Sequence, residues 1–120
     1  MKLPATTEDA VRAFERLVPT SPGISVRKVF GQPAAFVGGN MFLGAFGPDV
    51  FVRLSESDLA EASQLPGFRP FEPMPGRAMR GYLVLPKDVA RNPTTGGRWV
   101  ERAVRFASSL PAKKPKSRTR

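Results

Sequence analysis

The sequence predicts an α+β fold in which helices pack on an antiparallel sheet. Apolar residues recur at helical spacing near both ends of the chain, whereas the middle alternates short apolar runs with glycine-containing turns. A chain of 120 residues is long enough for one domain with a single core. We expect, in order, a helix, an antiparallel β-meander, a short helix, further strand structure and a C-terminal helix packed on the sheet.

The first helix is expected over residues 7–18. Thr6 and Asp9 stand at the spacing of a capping box, with the shorter acid, and Pro19 ends the helical pattern. Its apolar stripe consists of residues at helical spacing, namely Val11, Phe14 and Val18.

Four strands are expected next, at residues 24–28, 34–37, 41–46 and 50–54. Gly38-Gly39-Asn40 has the composition of a three-residue hairpin loop, because glycine and asparagine tolerate positive φ. Gly47-Pro48-Asp49 provides the following turn. Since tight turns join antiparallel neighbours, these strands form a meander.

The second half of the chain returns to helices. Ser55 and Asp58 form a second capping-box pattern, which opens a short helix ending near Gln64. Residues 79–85 are expected to form the last strand, and residues 93–97 a loop. One face of the final helix is expected to carry four apolar residues, namely Trp99, Ala103, Phe106 and Leu110.

The composition excludes several kinds of site. The chain has no cysteine and no histidine, so disulfides, thiolate metal sites and histidine-dependent catalysis are impossible. Glu56, Asp58 and Glu61 lie close together in the sequence and could hold a metal ion. Glu56 and Asp58 fall in the first turn of a predicted helix, where negative charge interacts favourably with the helix dipole, so this interpretation is preferred to a metal site. We therefore expect no cofactor and no enzymatic activity. An enzyme using Lys28 or Glu72 is the least favoured alternative.

More than half of the net charge of +9 lies in the last eight residues. The basic residues there are Lys113, Lys114, Lys116, Arg118 and Arg120. We expect residues 1–110 to form the domain and residues 111–120 to be a disordered basic tail. Such a tail attracts nucleic acid weakly and without sequence preference. Neither a signal peptide nor a membrane span is evident, and a cytoplasmic location is expected.

The stretch from Phe71 to Tyr82 has the composition of a rigid binding surface. It contains two prolines, two glycines, two methionines and two arginines. The predicted binding surface consists of residues from this stretch and from the first strand, namely Arg27, Lys28, Met74, Arg77, Met79 and Arg80. If the first and last strands are neighbours, its four cations share one face. In the other interpretation, which is favoured for Met41, Met74 and Met79, the methionines fill the core. The arginines are then paired with acidic residues or solvated.

The aromatic residues admit two interpretations, a stacking platform for nucleic acid or a core. The alternation along the strands favours the core for most of them. The residues concerned are Phe30, Phe42, Phe71, Tyr82 and Trp99.

The chain is expected to be a monomer, or a homodimer if the edge of the last strand is uncovered.

Four motifs in this order resemble the N-terminal domain of the TfoX/Sxy family. They are Arg27-Lys28-Val29-Phe30-Gly31, Gly39-Asn40-Met41-Phe42, Phe71 through Tyr82, and Trp99 with Ala103 followed by Leu110-Pro111. Val29 and Gln32 stand where the family typically has methionine and a second glycine. The similarity extends over roughly residues 8–114 and corresponds to a single-domain member without the C-terminal domain.

The resemblance implies a small α+β unit with the order of elements given above. Family members that also carry the C-terminal domain resemble regulators of natural competence, which are proposed to act with the cyclic-AMP receptor protein at promoters. For this chain, the resemblance implies a non-enzymatic regulatory module that binds a protein partner such as a transcription factor. Weak nucleic-acid binding through the tail and the Arg/Lys face is the alternative.

Overall fold

The computed structural model describes residues 5–112, which form a six-stranded antiparallel sheet with helices on one face. The helices are α1 (Glu8–Leu17), α2 (Glu56–Ser63), α3 (Lys87–Arg91) and α4 (Pro93–Ser109). The strands are β1 (Ile24–Val29), β2 (Gln32–Val37), β3 (Asn40–Phe46), β4 (Asp49–Arg53), β5 (Arg69–Pro70) and β6 (Tyr82–Val84). The predicted α+β class and the C-terminal helix on the sheet are confirmed.

The order of strands in the sheet is β1-β2-β3-β4-β6-β5. The first four strands form the predicted meander, because each pairs antiparallel with the next. Strand β6 then adds to β4, and the short β5 lies outside it. The first strand is therefore at one edge of the sheet, while the last strand is inside it.

Within residues 5–112, no helix combines the length and apolarity that crossing a bilayer requires.

The main core lies between the sheet and the helices α1, α3 and α4. Because side chains alternate along a strand, Val50 and Val52 face these helices while Phe51 faces the opposite side. We call the covered side the helix-side face and the opposite side the loop-side face. The largest fully buried side chains are Phe14, Phe42, Leu43, Val52, Leu54 and Val100, all in the helix-side core.

The hairpin between β2 and β3 is tighter than the sequence predicts. Its turn has two residues, Gly38 and Gly39, with φ of 58° and 80°, as a type I′ turn requires. Asn40 pairs with Val37 and begins β3. The predicted three-residue loop is therefore one residue too long. The Asn40 side-chain amide donates to the Pro111 carbonyl oxygen at 3.1 Å and ties the end of the described chain to this turn.

One of the two predicted helix caps is displaced. Thr7, not Thr6, caps α1, and its hydroxyl accepts from the Ala10 amide at 3.2 Å. The Thr6 hydroxyl donates instead to the Gln32 side chain, so the capping box of Thr6 with Asp9 is wrong. The Ser55 cap of α2 is confirmed, since its hydroxyl accepts from the Asp58 amide at 3.2 Å.

The largest differences from the sequence prediction lie between residues 79 and 97. The last strand covers only Tyr82–Val84 rather than residues 79–85, and α3 was not predicted. The predicted loop at 93–97 is wrong because Pro93 begins α4, where a missing amide hydrogen costs nothing. Asn92 caps this helix, and its side-chain oxygen accepts from the amides of Thr94 and Thr95.

The buried face of α4 is rotated from the predicted one. Its buried residues are Gly96, Trp99, Val100, Ala103 and Ala107. Phe106 and Leu110 are only half-buried, whereas Trp99 and Ala103 lie in the core as predicted. The rotation follows from Gly96, which allows the first turns of α4 to approach α1 and α3 closely.

Candidate binding site on the loop-side face

A second apolar cluster covers part of the loop-side face. Phe51 and Phe71 stack with ring centroids 4.1 Å apart and an interplanar angle of 13°, and Phe46 meets Phe71 edge-on at 5.4 Å. Val84 completes the buried part of the cluster, and Met41, Met79 and Tyr82 pack around it. This side of the sheet is covered by side chains and a loop rather than by a helix.

The covering segment, residues 71–81, is named the cap loop. Its backbone is held by its own hydrogen bonds: the Arg77 amide donates to the Met74 carbonyl at 2.9 Å, and the Met79 amide to the Phe71 carbonyl at 2.9 Å. Gly76 and Gly81 adopt positive φ in its turns. This turn structure explains why the last strand is shorter than predicted.

A cavity of about 550 Å³, the loop-side cavity, lies between the cap loop and the turn that joins β1 to β2. Side chains from both sides line it, among them Phe30, Met41, Phe46, Pro73, Met74 and Met79. Gln32 is the only polar residue among the described lining residues. A largely apolar concavity with one polar group is typical of a ligand or partner site.

Phe30 is the most unusual residue at the mouth of this cavity. It lies in the two-residue turn between β1 and β2, with φ of 53°, and it is the only described non-glycine residue with positive φ. Such a conformation costs an L-residue about 1–2 kcal/mol. The side chain is nevertheless 81% exposed. The unfavourable backbone conformation of Phe30 is therefore not offset by burial of its ring.

Gln32, the first residue of β2, is 5% exposed. Its side-chain oxygen Oε1 accepts from the Gly47 amide at 2.6 Å and from the Thr6 hydroxyl at 2.9 Å. The side-chain nitrogen Nε2 is buried and has no hydrogen-bond partner within residues 5–112. The side-chain oxygen of Gln32 therefore holds the β3–β4 turn and the segment before α1 in place. Its side-chain nitrogen takes no part in these contacts.

The residues of the predicted binding surface are divided between two sides of the sheet. Met74 and Met79 line the loop-side cavity, and Arg77 and Arg80 are exposed in the cap loop beside them. Arg27 also lies on the loop side, because its guanidinium carbon is 4.0 Å from the centre of the Phe36 ring.

Lys28 lies on the other side of the sheet and lines a second cavity together with Val11 and Glu15 of α1. Strands β2, β3 and β4 separate β1 from β6, so the condition for four cations on one face is not met. The five basic residues of the predicted tail lie outside residues 5–112.

The aromatic residues follow the core interpretation with one exception. Phe42, Phe71 and Trp99 are buried and Tyr82 is half-buried, whereas Phe30 is exposed. Burial raises the pKa of the Tyr82 hydroxyl, while the neighbouring Arg53 acts in the opposite direction. Met41 and Met79 pack against the cluster on the loop-side face rather than in the helix-side core, and Met74 is 42% exposed.

The acidic residues of α2 have a structural role. Arg102 of α4 donates to Glu61 at 2.9 Å and to Asp58 at 3.3 Å, so it joins the two helices. The hydrogen bond to Glu61 raises the pKa of Arg102. Within residues 5–112, no group of three or more acidic side chains is placed to hold a metal ion. Glu72 and Lys28, the residues of the least favoured enzymatic alternative, are both exposed. Glu72 lies in the cap loop, whereas Lys28 lies in β1.

The predicted binding surface contains neither Phe30 nor Gln32, since Phe30 was considered only as one of the aromatic residues of a stacking platform or a core. The pair Phe30-Gly31 between two strands was the available signal, because a two-residue hairpin turn needs positive φ at both positions. An aromatic residue is disfavoured there, and its presence points to a role outside folding.

Residues 15–107 match the family model described as the TfoX N-terminal domain. The match includes the β1–β2 turn, Gln32 and the whole cap loop. Neither the curated proteins nor the solved structures contain a match to this chain.

Proposed function

Because this chain belongs to the TfoX N-terminal domain family, which is generally regulatory and related to competence, we propose that it is a non-enzymatic module that binds a protein partner through its loop-side face. The observation that carries the proposal is the exposed Phe30 ring, held in a costly conformation beside the exposed Met74 at the mouth of an apolar cavity. Binding a partner would bury both side chains and recover part of that cost.

The chemistry of this face suits a protein interface. Aromatic residues, methionine and arginine are enriched at interfaces. Fully burying an exposed side chain such as that of Phe30 contributes about 1.5–3 kcal/mol, and Met74, which is 42% exposed, contributes less. Arg27, Arg77 and Arg80 lie around the apolar centre and are exposed. Charged residues at the rim of an interface favour a complementary partner, so we propose a partner with an acidic rim. A transcription factor in competence or related regulation is the partner that the family suggests.

Photo-cross-linking in the cells that produce the protein tests this proposal. A photoreactive phenylalanine analogue at position 30 or 74 is expected to yield one discrete higher-mass product on a denaturing gel. Position 65 provides the matched control, because Leu65 is also an exposed apolar residue (42%) but lies just after α2. The product should weaken when Arg77 and Arg80 are both replaced by alanine. Equal product from positions 30, 74 and 65 would contradict the proposal.

Electrostatic binding of nucleic acid is the second candidate, and the basic residues after Ala112 are the observation that favours it. The described residues divide Arg27 and Lys28 between two faces, so we expect the tail to supply most of this binding. A chain truncated after Ala112 keeps the hydrogen bond from Asn40 to Pro111. In a salt titration with duplex DNA, the full chain should bind weakly with a steep salt slope, and the truncated chain should not bind. Undiminished binding by the truncated chain would assign the site to the domain.

A further inference from the structure

Gln32 has a hydrogen-bond donor that the described protein does not use. Because the Gly47 backbone amide can only donate, it fixes the side-chain oxygen of Gln32 on its own side and prevents the amide from being turned over. Nε2 is consequently a buried donor without an acceptor in residues 5–112. Leaving such a group unsatisfied is unfavourable, because the nitrogen loses its hydrogen bond to water without gaining another. Because Nε2 has almost no accessible surface, neighbouring side chains must shift before an acceptor atom can reach it, and an acceptor that does so would be bound favourably.

The space beside Gln32 has an apolar part and a polar part. The loop-side cavity, at about 550 Å³, is within the range of about 300–1,000 Å³ for small-molecule pockets, and its other described lining residues are apolar. The second cavity, of about 520 Å³, shares Phe30, Gln32 and Pro33 with it. The second cavity also contains the polar or charged side chains of Thr6, Glu15 and Lys28. Gln32 thus stands at the boundary between an apolar and a polar space.

We infer that the loop-side cavity binds a small amphipathic molecule, an acyl chain whose carbonyl oxygen accepts a hydrogen bond from Gln32 Nε2. The hydrocarbon chain lies among Met41, Phe46 and Met79 under the cap loop, where flexible methionine side chains adapt to its shape. The head group lies toward Lys28 and Glu15. A free carboxylate gains from Lys28 and is opposed by Glu15, whereas a neutral amide is affected little by either. The shared feature of both ligands is the acyl carbonyl.

This inference does not depend on the partner proposed above. The acyl site is the interior of the cavity, whereas the partner is proposed to contact exposed Phe30, Met74 and the arginine rim. Both involve the cap loop, so the ligand and the partner would influence each other, but either can exist alone.

Nuclear magnetic resonance of the full-length ¹⁵N-labelled chain tests the inference directly. The probes are decanoic acid, decanamide and decylamine, each below its micellar concentration. Decanoic acid or decanamide is expected to shift the side-chain NH₂ signals of Gln32 and leave those of exposed Gln64 unchanged. Decylamine has the same chain but a head group that only donates, so it should bind about tenfold more weakly or not at all. Tighter binding of decanoic acid than of decanamide, lost in Lys28→Met, would identify the free acid as the source.

Two variants separate the head-group contact from the cavity. Gln32→Glu keeps an oxygen for Gly47 and Thr6 but replaces the donor nitrogen, and we expect about a tenfold loss of acyl binding. Gln64→Glu is the matched control and should bind normally. Ala34→Met fills the cavity from β2 and should abolish binding even if Gln32→Glu does not fold. The inference is overturned if neither acyl probe binds, if decylamine binds equally well, or if a folded Ala34→Met chain binds unchanged.

Discussion

Replacing Trp99 by alanine is expected to lower the free energy of unfolding by about 3–5 kcal/mol, as large aromatic truncations in a core do. The ring is 7% exposed and meets the Phe68 ring edge-on at 5.3 Å. The Arg102 guanidinium lies 4.7 Å from its centre and is itself bound to α2. Trp99 therefore joins α4 to the segment after α2, and its loss removes packing that no neighbour can replace.

Urea denaturation followed by far-ultraviolet circular dichroism measures this effect in the full-length chain. Leu65→Ala is a suitable control, because Leu65 is exposed and its truncation should change stability by less than about 0.5 kcal/mol. A loss below about 1 kcal/mol for Trp99→Ala would show that the indole is not a core residue. The buried face assigned to α4 would then be wrong.

The adjacent glycines Gly96 and Gly97 are expected to respond oppositely to alanine. A Cβ at Gly96 would lie 2.5 Å from the Val89 carbonyl oxygen and 3.0 Å from a Leu17 methyl carbon. The Leu17 side chain can rotate, but the carbonyl belongs to the backbone of α3 and cannot move without shifting that helix. We therefore expect Gly96→Ala to destabilise the fold by about 1–3 kcal/mol, like other overpacked cores.

Gly97→Ala is the internal control for this prediction. A Cβ at Gly97 meets no atom within 4 Å, so only the helix propensity changes. The substitution should stabilise the protein by up to about 1 kcal/mol, because alanine loses less backbone entropy than glycine in a helix. Thermal unfolding of the two variants side by side provides the test. If both substitutions shift the melting temperature in the same direction, α4 and α3 are packed less closely at Gly96 than in the structure.

The meander was predictable because its information is local. Each strand is bounded by a turn of glycine, proline or asparagine, and short turns permit only antiparallel pairing. The first helix and the Ser55 cap were predictable for the same reason, since spacing and cap residues are read within a few positions. Errors of one residue, as at Asn40, arise because pairing with Val37 decides where the turn ends.

The region from 79 to 97 was less predictable because its structure depends on distant contacts. The cap loop folds over the loop-side face, and this tertiary packing shortens β6 in a way that the apolar run Tyr82–Leu85 does not reveal. Gly96 resembles a loop residue in the sequence, but in the fold it is the contact point of three helices. Helix α3, with five residues, is too short to show periodicity.

The candidate site was predictable only in part. Met74, Met79, Arg77 and Arg80 were predicted as binding residues because composition identifies an unusual loop, and in the structure Met74 and Met79 line the loop-side cavity. The contributions of Phe30 and Gln32 depend on the cap loop meeting the β1–β2 turn, which are some forty residues apart in the chain. That juxtaposition arises because the cap loop folds across the loop-side face of the sheet, a tertiary contact that local patterns do not contain.

Under the binding role proposed above for Phe30, its positive φ places folding and recognition in competition at one residue. Glycine would adopt this turn without strain, so selection for thermal stability alone favours glycine at position 30. Selection for binding favours a large apolar side chain there. Stabilised variants obtained by directed evolution can therefore be sorted by this position, since those that gain glycine will have exchanged the contact surface for stability.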